Sequence, residues 1–178
     1  MPMDMKKMIA QTFARMAREG GVDKITVKAL IGECGTSRQT FYYHFQDIVE
    51  VIEWSVEQEN KRMLEQSLQA RTPQEALAVI VASTMENRVL IRKLMNSQKR
   101  EHIERLFVQA TRTYLGELIH RGPGAGTVNL ADLELALDLW SFGISGVLFL
   151  CCEKGEADPE RVAAQIYRIL SAQFLEAP

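Results

Sequence analysis

The chain has 178 residues, 47% apolar and 25% charged, the proportions of an ordinary globular protein that can bury a sizeable core. That length fits one domain, or a small domain joined to a larger one. A net charge of −2 excludes a uniformly basic nucleic-acid coat.

The distribution of charge says more than the total. Residues 1–46 hold seven basic and four acidic side chains, whereas the remainder holds fourteen and nineteen. This asymmetry favours phosphate contact at the N-terminal end and argues against it elsewhere. Three cysteines, Cys34, Cys151 and Cys152, together with the lack of a secretory pattern, predict reduced thiols and a cytoplasmic setting.

In chain order, nearly every segment predicts helix. Ile9, Phe13, Met16 and Ala17 recur at helical spacing over about 4–19, and Gly20-Gly21 ends that segment. Two short helices follow, joined by a turn at Gly35, where a permissive backbone is needed. Val27, Leu30 and Ile31 mark one face of the first. Thr36 or Ser37 can cap the second, and Phe41 and Phe45, four apart, face inward. Arg38, Gln39, Thr40, Tyr42 and Tyr43 are left on or near the outer face.

Asp47-Ile-Val-Glu50 is a capping-box pattern that opens a long helix through Trp54, Met63 and Leu68. Thr72-Pro73-Gln74-Glu75 is a sharper start signal, with a cap, a proline at the first position and a glutamate at the third. From there apolar residues run through Leu77, Ile80, Val81, Met85, Val89 and Leu94. A further helix is predicted over about 99–120, and Gly122-Pro-Gly-Ala-Gly126 reads as a loop. Asn129 restarts a helix to about Glu153, and Asp158-Pro159 opens the last one. The fold class is therefore all-α.

The stretch Leu135–Cys152 is apolar, but it falls slightly short of the roughly 20 residues a membrane span requires. It also contains Asp138, Ser141 and Ser145. A helix covered on nearly all sides by a subunit contact fits better. Trp140, Gly143, Val147 and Gly146 would form that contact with Val162, Ile166, Ile169, Leu170 and Phe174 of the final helix.

The polar row on the second short helix carries the chemistry. A helix fits the major groove, where each base pair shows a distinct donor and acceptor pattern. Arg38 can pair bidentately with guanine and Gln39 with adenine, while the Thr40 methyl can meet thymine. Ser37, at the helix start, belongs to the same surface. Tyr42, Tyr43 and His44 lie where phosphate contact is more plausible, and Thr26 and Lys28 can add phosphate contacts from the preceding helix. Each residue alone also fits a solvated or packed face; the combination points to DNA.

Residues 9–54 resemble the DNA-binding region of the TetR family of bacterial transcription regulators. The carriers are Ile25-Thr-Val-Lys-Ala-Leu, Cys34-Gly-Thr-Ser-Arg-Gln-Thr-Phe-Tyr-Tyr-His-Phe-Gln-Asp47 and the apolar fourth helix with Trp54. Gln39-Thr-Phe-Tyr-Tyr-His-Phe-Gln-Asp, Trp54 and Phe142-Gly-Ile-Ser-Gly-Val147 look similar to the branch related to the dihydroxyacetone kinase operon activator. The resemblance implies a homodimer whose last two helices form a four-helix bundle, and a small-molecule cavity in the larger helical domain. The expected domains are 1–46, which reads a pseudo-palindromic DNA operator, and 47–178, which binds an effector and dimerises. Where many family members carry a lysine at the fourth-helix start, this chain has Gln46-Asp47-Ile48.

Trp54, Met85, Met95, Phe107, Tyr114 and Trp140 could line an effector cavity with Arg88 as a polar anchor, and residues of these types at helical spacing also make plain core. No paired Cys or His spacing suits a metal. No nucleophile elbow, phosphate loop or cofactor motif suggests an enzyme. The rival reading is a dimeric helical interaction protein that binds a protein partner rather than DNA.

Overall fold

A computed structural model describes residues 4–121, 130–155 and 158–175, with backbone alone at 130–131 and 171–175. The described residues form nine α-helices: α1 Met5–Gly20, α2 Val27–Cys34, α3 Arg38–His44, α4 Ile48–Ser67, α5 Pro73–Glu86, α6 Arg88–Met95, α7 Arg100–Arg121, α8 Leu130–Lys154 and α9 Pro159–Leu175. A 3-10 turn, Val22–Lys24, precedes α2. The loop expected at 122–126, the restart at Asn129 and the Phe174 side chain lie outside the described residues.

Short-range capping chemistry sets most helix starts. Asp4 accepts from the Lys7 amide at 3.4 Å, Thr26 from Ala29 at 3.1 Å, Ser37 from Thr40 at 3.0 Å and Thr72 from Glu75 at 3.1 Å. Each satisfies an amide that the first helical turn leaves unpaired. Asp158 does the same for Glu160 and Arg161. At α4, Asp47 caps the Glu50 amide at 3.0 Å while Glu50 reaches back to the Gln46 amide. The reciprocal capping pair is thus present, displaced by one residue from its usual return partner.

The apolar run from Leu77 to Leu94 is divided at Asn87. There the side-chain amide donates to the Ser83 carbonyl at 3.1 Å and the backbone leaves helical geometry. The side chain competes for a carbonyl of the last turn, which apolar spacing does not register.

The chain packs as two compact units. The first takes residues up to Gln58 together with Val89–Leu106; the second takes Glu59–Arg88 with the chain from Phe107 onward. In the first unit, Ile9, Phe13 and Ala17 of α1 share a core with Leu30, Phe41, Phe45, Val51 and Ile52, and Ile91, Leu94 and Ile103 belong to the same unit. In the second unit α5 packs along α9 and α8. Leu77, Ile80 and Val81 are buried there with Leu137, Ile144, Leu148, Ala163 and Ile166. Buried polar groups in this unit are paired. The Tyr114 hydroxyl donates to the Ala76 carbonyl at 2.9 Å and lies 2.6 Å from Ser67 Oγ, and Ser145 Oγ donates to Thr111 at 3.1 Å.

Candidate nucleic-acid interface

The reading element begins at the end of α2. Gly35 adopts φ 62°, ψ 30°, a left-handed conformation in which a side chain would be strained. Its amide donates to the Gly32 carbonyl at 3.2 Å, and the Thr36 amide donates to Ile31 at 3.1 Å. These two bonds close α2 in the double hydrogen-bond pattern that glycine at this position favours. The chain leaves extended, and Ser37 then caps α3. Of the two capping candidates, Thr36 and Ser37, the structure uses Ser37.

α3 is anchored by its aromatic residues. Phe41 and Phe45 are fully buried, their ring centroids 6.1 Å apart, and Phe45 meets the edge of Trp54 at 6.0 Å. Lys6 Nζ sits 5.1 Å above the Phe45 ring, a cation–π contact that ties α1 to the same cluster. Fixing one face this way commits the other to solvent. Arg38 and Tyr42 form one exposed ridge and Gln39 and Tyr43 a second, each pair four residues apart. Tyr43 is 84% and Tyr42 54% exposed, exceptional values for aromatic residues in a well-packed unit. Thr40 is half-buried, its hydroxyl 2.9 Å from Ser37 Oγ, and His44 is half-buried with its ring 5.0 Å from that of Tyr43.

The cations are available for a ligand. Arg38 and Lys28 are exposed and make no ion pair among the described residues. Arg15, by contrast, is engaged by Glu33 at 2.6 Å and Glu19 at 3.4 Å, which also removes Glu33 from the vicinity as a free anion. Thr26 and Ser37 use their oxygens as acceptors in capping; the Thr26 hydroxyl can still donate outward, and Ser37 can do so when Thr40 is the donor of their mutual bond. The surface therefore combines long donors on rigid helices with capping hydroxyls suited to phosphate.

The effector candidates are divided between the two units. Trp54 and Met95 belong to the first unit, Trp54 in edge contact with Phe45 and Met95 buried. Met85, Arg88, Phe107, Tyr114 and Trp140 belong to the second. There Tyr114 is a fully buried core residue whose hydroxyl is satisfied, and burial pushes its pKa up to about 12 against the opposing hydrogen bond with Ser67. Arg88 is exposed and donates to the Met85 carbonyl at 3.1 Å, while Phe107 packs on Phe149 at 5.6 Å. Two clefts of about 320 and 310 Å³ lie in the first unit, and none of these candidates lines either of them.

The candidate subunit-contact residues divide by exposure. Along α8, Leu133, Leu137, Ile144 and Leu148 are buried in their own subunit, while Leu135, Leu139, Phe142 and Leu150 stand on the opposite face, Phe142 at 69% exposure. Gly143 and Gly146 lie on that outer face, with no atom of the described residues within 4 Å of where a side chain would start, and Val147 joins them. On α9, Ile169 is exposed, Val162 and Leu170 are half-buried, and Ile166 is buried. Trp140 is half-buried. α8 is long and apolar enough to cross a membrane by length and composition, with a third of its most apolar window buried. The three cysteines are free thiols.

Residues 11–53 match the family model described as bacterial regulatory proteins, tetR family, and residues 71–172 match the model for a transcriptional regulator C-terminal region. No curated protein matches the chain in sequence. Among solved structures, the chain is similar to the dihydroxyacetone kinase operon activator DhaS, at TM-score 0.71 and 19% identity over 94% of each chain. It is also similar to SmeT, the repressor of the Stenotrophomonas maltophilia multidrug efflux pump SmeDEF (TM-score 0.60, 19% identity, 96% of this chain and 90% of that one). FadR from Bacillus subtilis, solved with stearoyl-CoA, matches at TM-score 0.58 and 18% identity, over 92% of this chain and 96% of that one. At such identities the likeness is one of fold. The family models together span the head and more than half the chain beyond it, and the chain belongs to the TetR family of transcriptional regulators.

Proposed function

We propose that this regulator binds a pseudo-palindromic DNA operator as a homodimer in the cytoplasm, and that it acts by binding and not by catalysis. The observation that carries this reading is α3, where two exposed ridges, led by Arg38 and Gln39, stand on a helix pinned by buried Phe41 and Phe45. In this reading residues 1–46 form the DNA-binding domain. Arg38, Gln39 and Thr40 meet base edges. Thr26, Lys28, Ser37, Tyr42, Tyr43 and His44 meet phosphates and set the register.

Residues 47–178 would hold the effector site and the subunit contact. The outer face of α8, with Leu139, Phe142, Gly143 and Val147, offers an apolar surface whose small residues permit close helix approach. Pairing it with a second copy removes it from water, the usual fate of so large an apolar face. A twofold dimer then places its two α3 helices about 34–36 Å apart or slightly more, matched to half-sites one helical turn apart. Control by a small molecule is supported by the bound stearoyl-CoA in B. subtilis FadR. A ligand shifts DNA affinity only if it binds the two spacings of the reading heads unequally.

The test is titration of duplex DNA at rising salt. Two chains per operator and a steep fall of affinity with salt are expected. One chain per duplex, or affinity indifferent to salt, would overturn the proposal.

A further inference from the structure

Charge counted along the sequence credits the N-terminus alone with phosphate contact. The folded unit contains more. From Asn87 to Arg100 the chain carries Arg88, Arg92, Lys93, Lys99 and Arg100 and no carboxylate. All but Arg88 of these belong to the same compact unit as α1–α3. Up to Gln58 that unit holds seven basic and eight acidic residues; with Val89–Leu106 it holds twelve and ten. The segment therefore reverses the sign of the unit that carries the reading helix, while the second unit holds nine basic and thirteen acidic residues.

The cations are placed around two clefts. Lys24, Arg92 and Lys93 line one of about 320 Å³ together with Asn96 and the turn Gly20–Asp23. Lys99 lines the other, of about 310 Å³, whose walls also include Val27 at the start of α2 and Asp47-Ile48-Val49 at the start of α4. None of these four cations makes an ion pair among the described residues. The two carboxylates on the walls are occupied by backbone amides. Both oxygens of Asp23 accept from the Gln98 amide, at 3.1 and 3.2 Å, and Asp47 accepts from Glu50. The Asp23 bond also fixes the turn that carries Lys99 against the turn that leads into Thr26.

We propose that Lys24, Arg92, Lys93 and Lys99 form a second phosphate-binding surface, through which the reading unit contacts DNA backbone beside the phosphates reached from α2 and α3. The inference rests on the DNA-binding reading above and adds to it the source of the affinity. The start of α4, Gln46-Asp47-Ile48, carries no cation of its own, and Lys99 brings one to that place. Such contacts carry charge and no base information, so they strengthen binding to every sequence alike.

The experiment measures affinity against salt for a random-sequence duplex several turns long and for a selected duplex. It compares the wild type with K99Q, R92Q/K93Q and the fourfold variant that adds K24Q. Circular dichroism checks the fold, and K93R serves as the charge-retaining control. Each contact removed is expected to lower the magnitude of the log–log salt slope by about 0.9, equally on both duplexes, with base preference unchanged and K93R like the wild type. If the fourfold variant keeps the wild-type slope while R38Q weakens the selected duplex, this surface is refuted and the DNA-binding reading stands. If the wild type shows no salt-dependent binding at all, both fall. Inorganic phosphate supplies a further arm. Phosphate-induced thermal stabilisation that the fourfold variant loses, with the DNA slope unchanged, would make the clefts small-anion sites and overturn the proposal.

Discussion

Tyr114→Phe separates a core role from a cavity role for the most deeply buried aromatic of the C-terminal unit. The wild-type hydroxyl donates to Ala76 at 2.9 Å and meets Ser67 Oγ at 2.6 Å, in a fully buried setting. Phenylalanine keeps the ring and its packing but leaves Ser67 with one buried partner fewer. Ser67 Oγ keeps the Ala76 carbonyl as a partner at 3.3 Å, so the cost is that of the lost hydrogen bonding, about 0.5–1.5 kcal/mol per bond, or about 2–4 °C of melting temperature per kcal/mol in a chain of this size. The effect depends on pH in a way that packing alone does not. The folded-state pKa of Tyr114 is raised, to about 12, because burial disfavours phenolate more than the Ser67 bond favours it. A raised acid pKa gives stability that is complete below the unfolded value of 10.0 and is lost as pH climbs through that window towards about 12. Two pKa units correspond to about 2.7 kcal/mol at most. Urea unfolding followed by circular dichroism, from pH 8 upward, should show wild type losing its lead over Tyr114→Phe as pH passes 10. Equal stability at pH 8 with parallel alkaline profiles would refute this account and return Tyr114 to the candidates for a ligand-facing role.

Three further outcomes follow from the site and the subunit face. Arg38→Ala should relax preference at one base position at a cost of about 1–3 kcal/mol, whereas Lys28→Ala should weaken all sequences alike; binding to a panel of single-base variants of a selected duplex distinguishes them. Ser37→Ala removes the α3 cap and should cost about 1 kcal/mol in stability, read as a lowered melting temperature. Phe142→Asp places a charge on the exposed α8 face and should yield a folded monomer by light scattering at micromolar concentration. A dimer that persists would remove that face from the subunit contact.

The parts of the structure legible in the sequence are those written at short range. The caps at Ser37, Thr72 and Asp158 each act within three residues, and the Phe41–Phe45 pair needs only helical spacing, so these helix starts and the buried face of α3 were readable locally; the caps at Asp4 and Thr26 act over the same range and were not picked out. The break at Asn87 was hidden because Val89 and Leu94 continue the apolar period across it. The membership of α6 in the first unit was hidden for another reason. It is a contact across some seventy residues, signalled by Asp23 accepting from the Gln98 amide, and no local pattern announces such a pairing. The same long-range folding placed Arg92, Lys93 and Lys99, which linear charge counting had assigned to the acidic remainder, in the unit of the reading head. Among the effector candidates, helical spacing selected Tyr114 for its size and apolar body; its two buried hydrogen bonds, which make it core, depend on Ser67 and Ala76 far along the chain.

The most direct test of the central claim is selection of bound duplexes from a random pool by the full-length protein. The account predicts enrichment of a twofold-symmetric sequence with half-sites about one helical turn or slightly more apart, lost at the base-read positions in Arg38→Ala. Recovery of no palindromic sequence, or the same sequence recovered by Arg38→Ala, would contradict it.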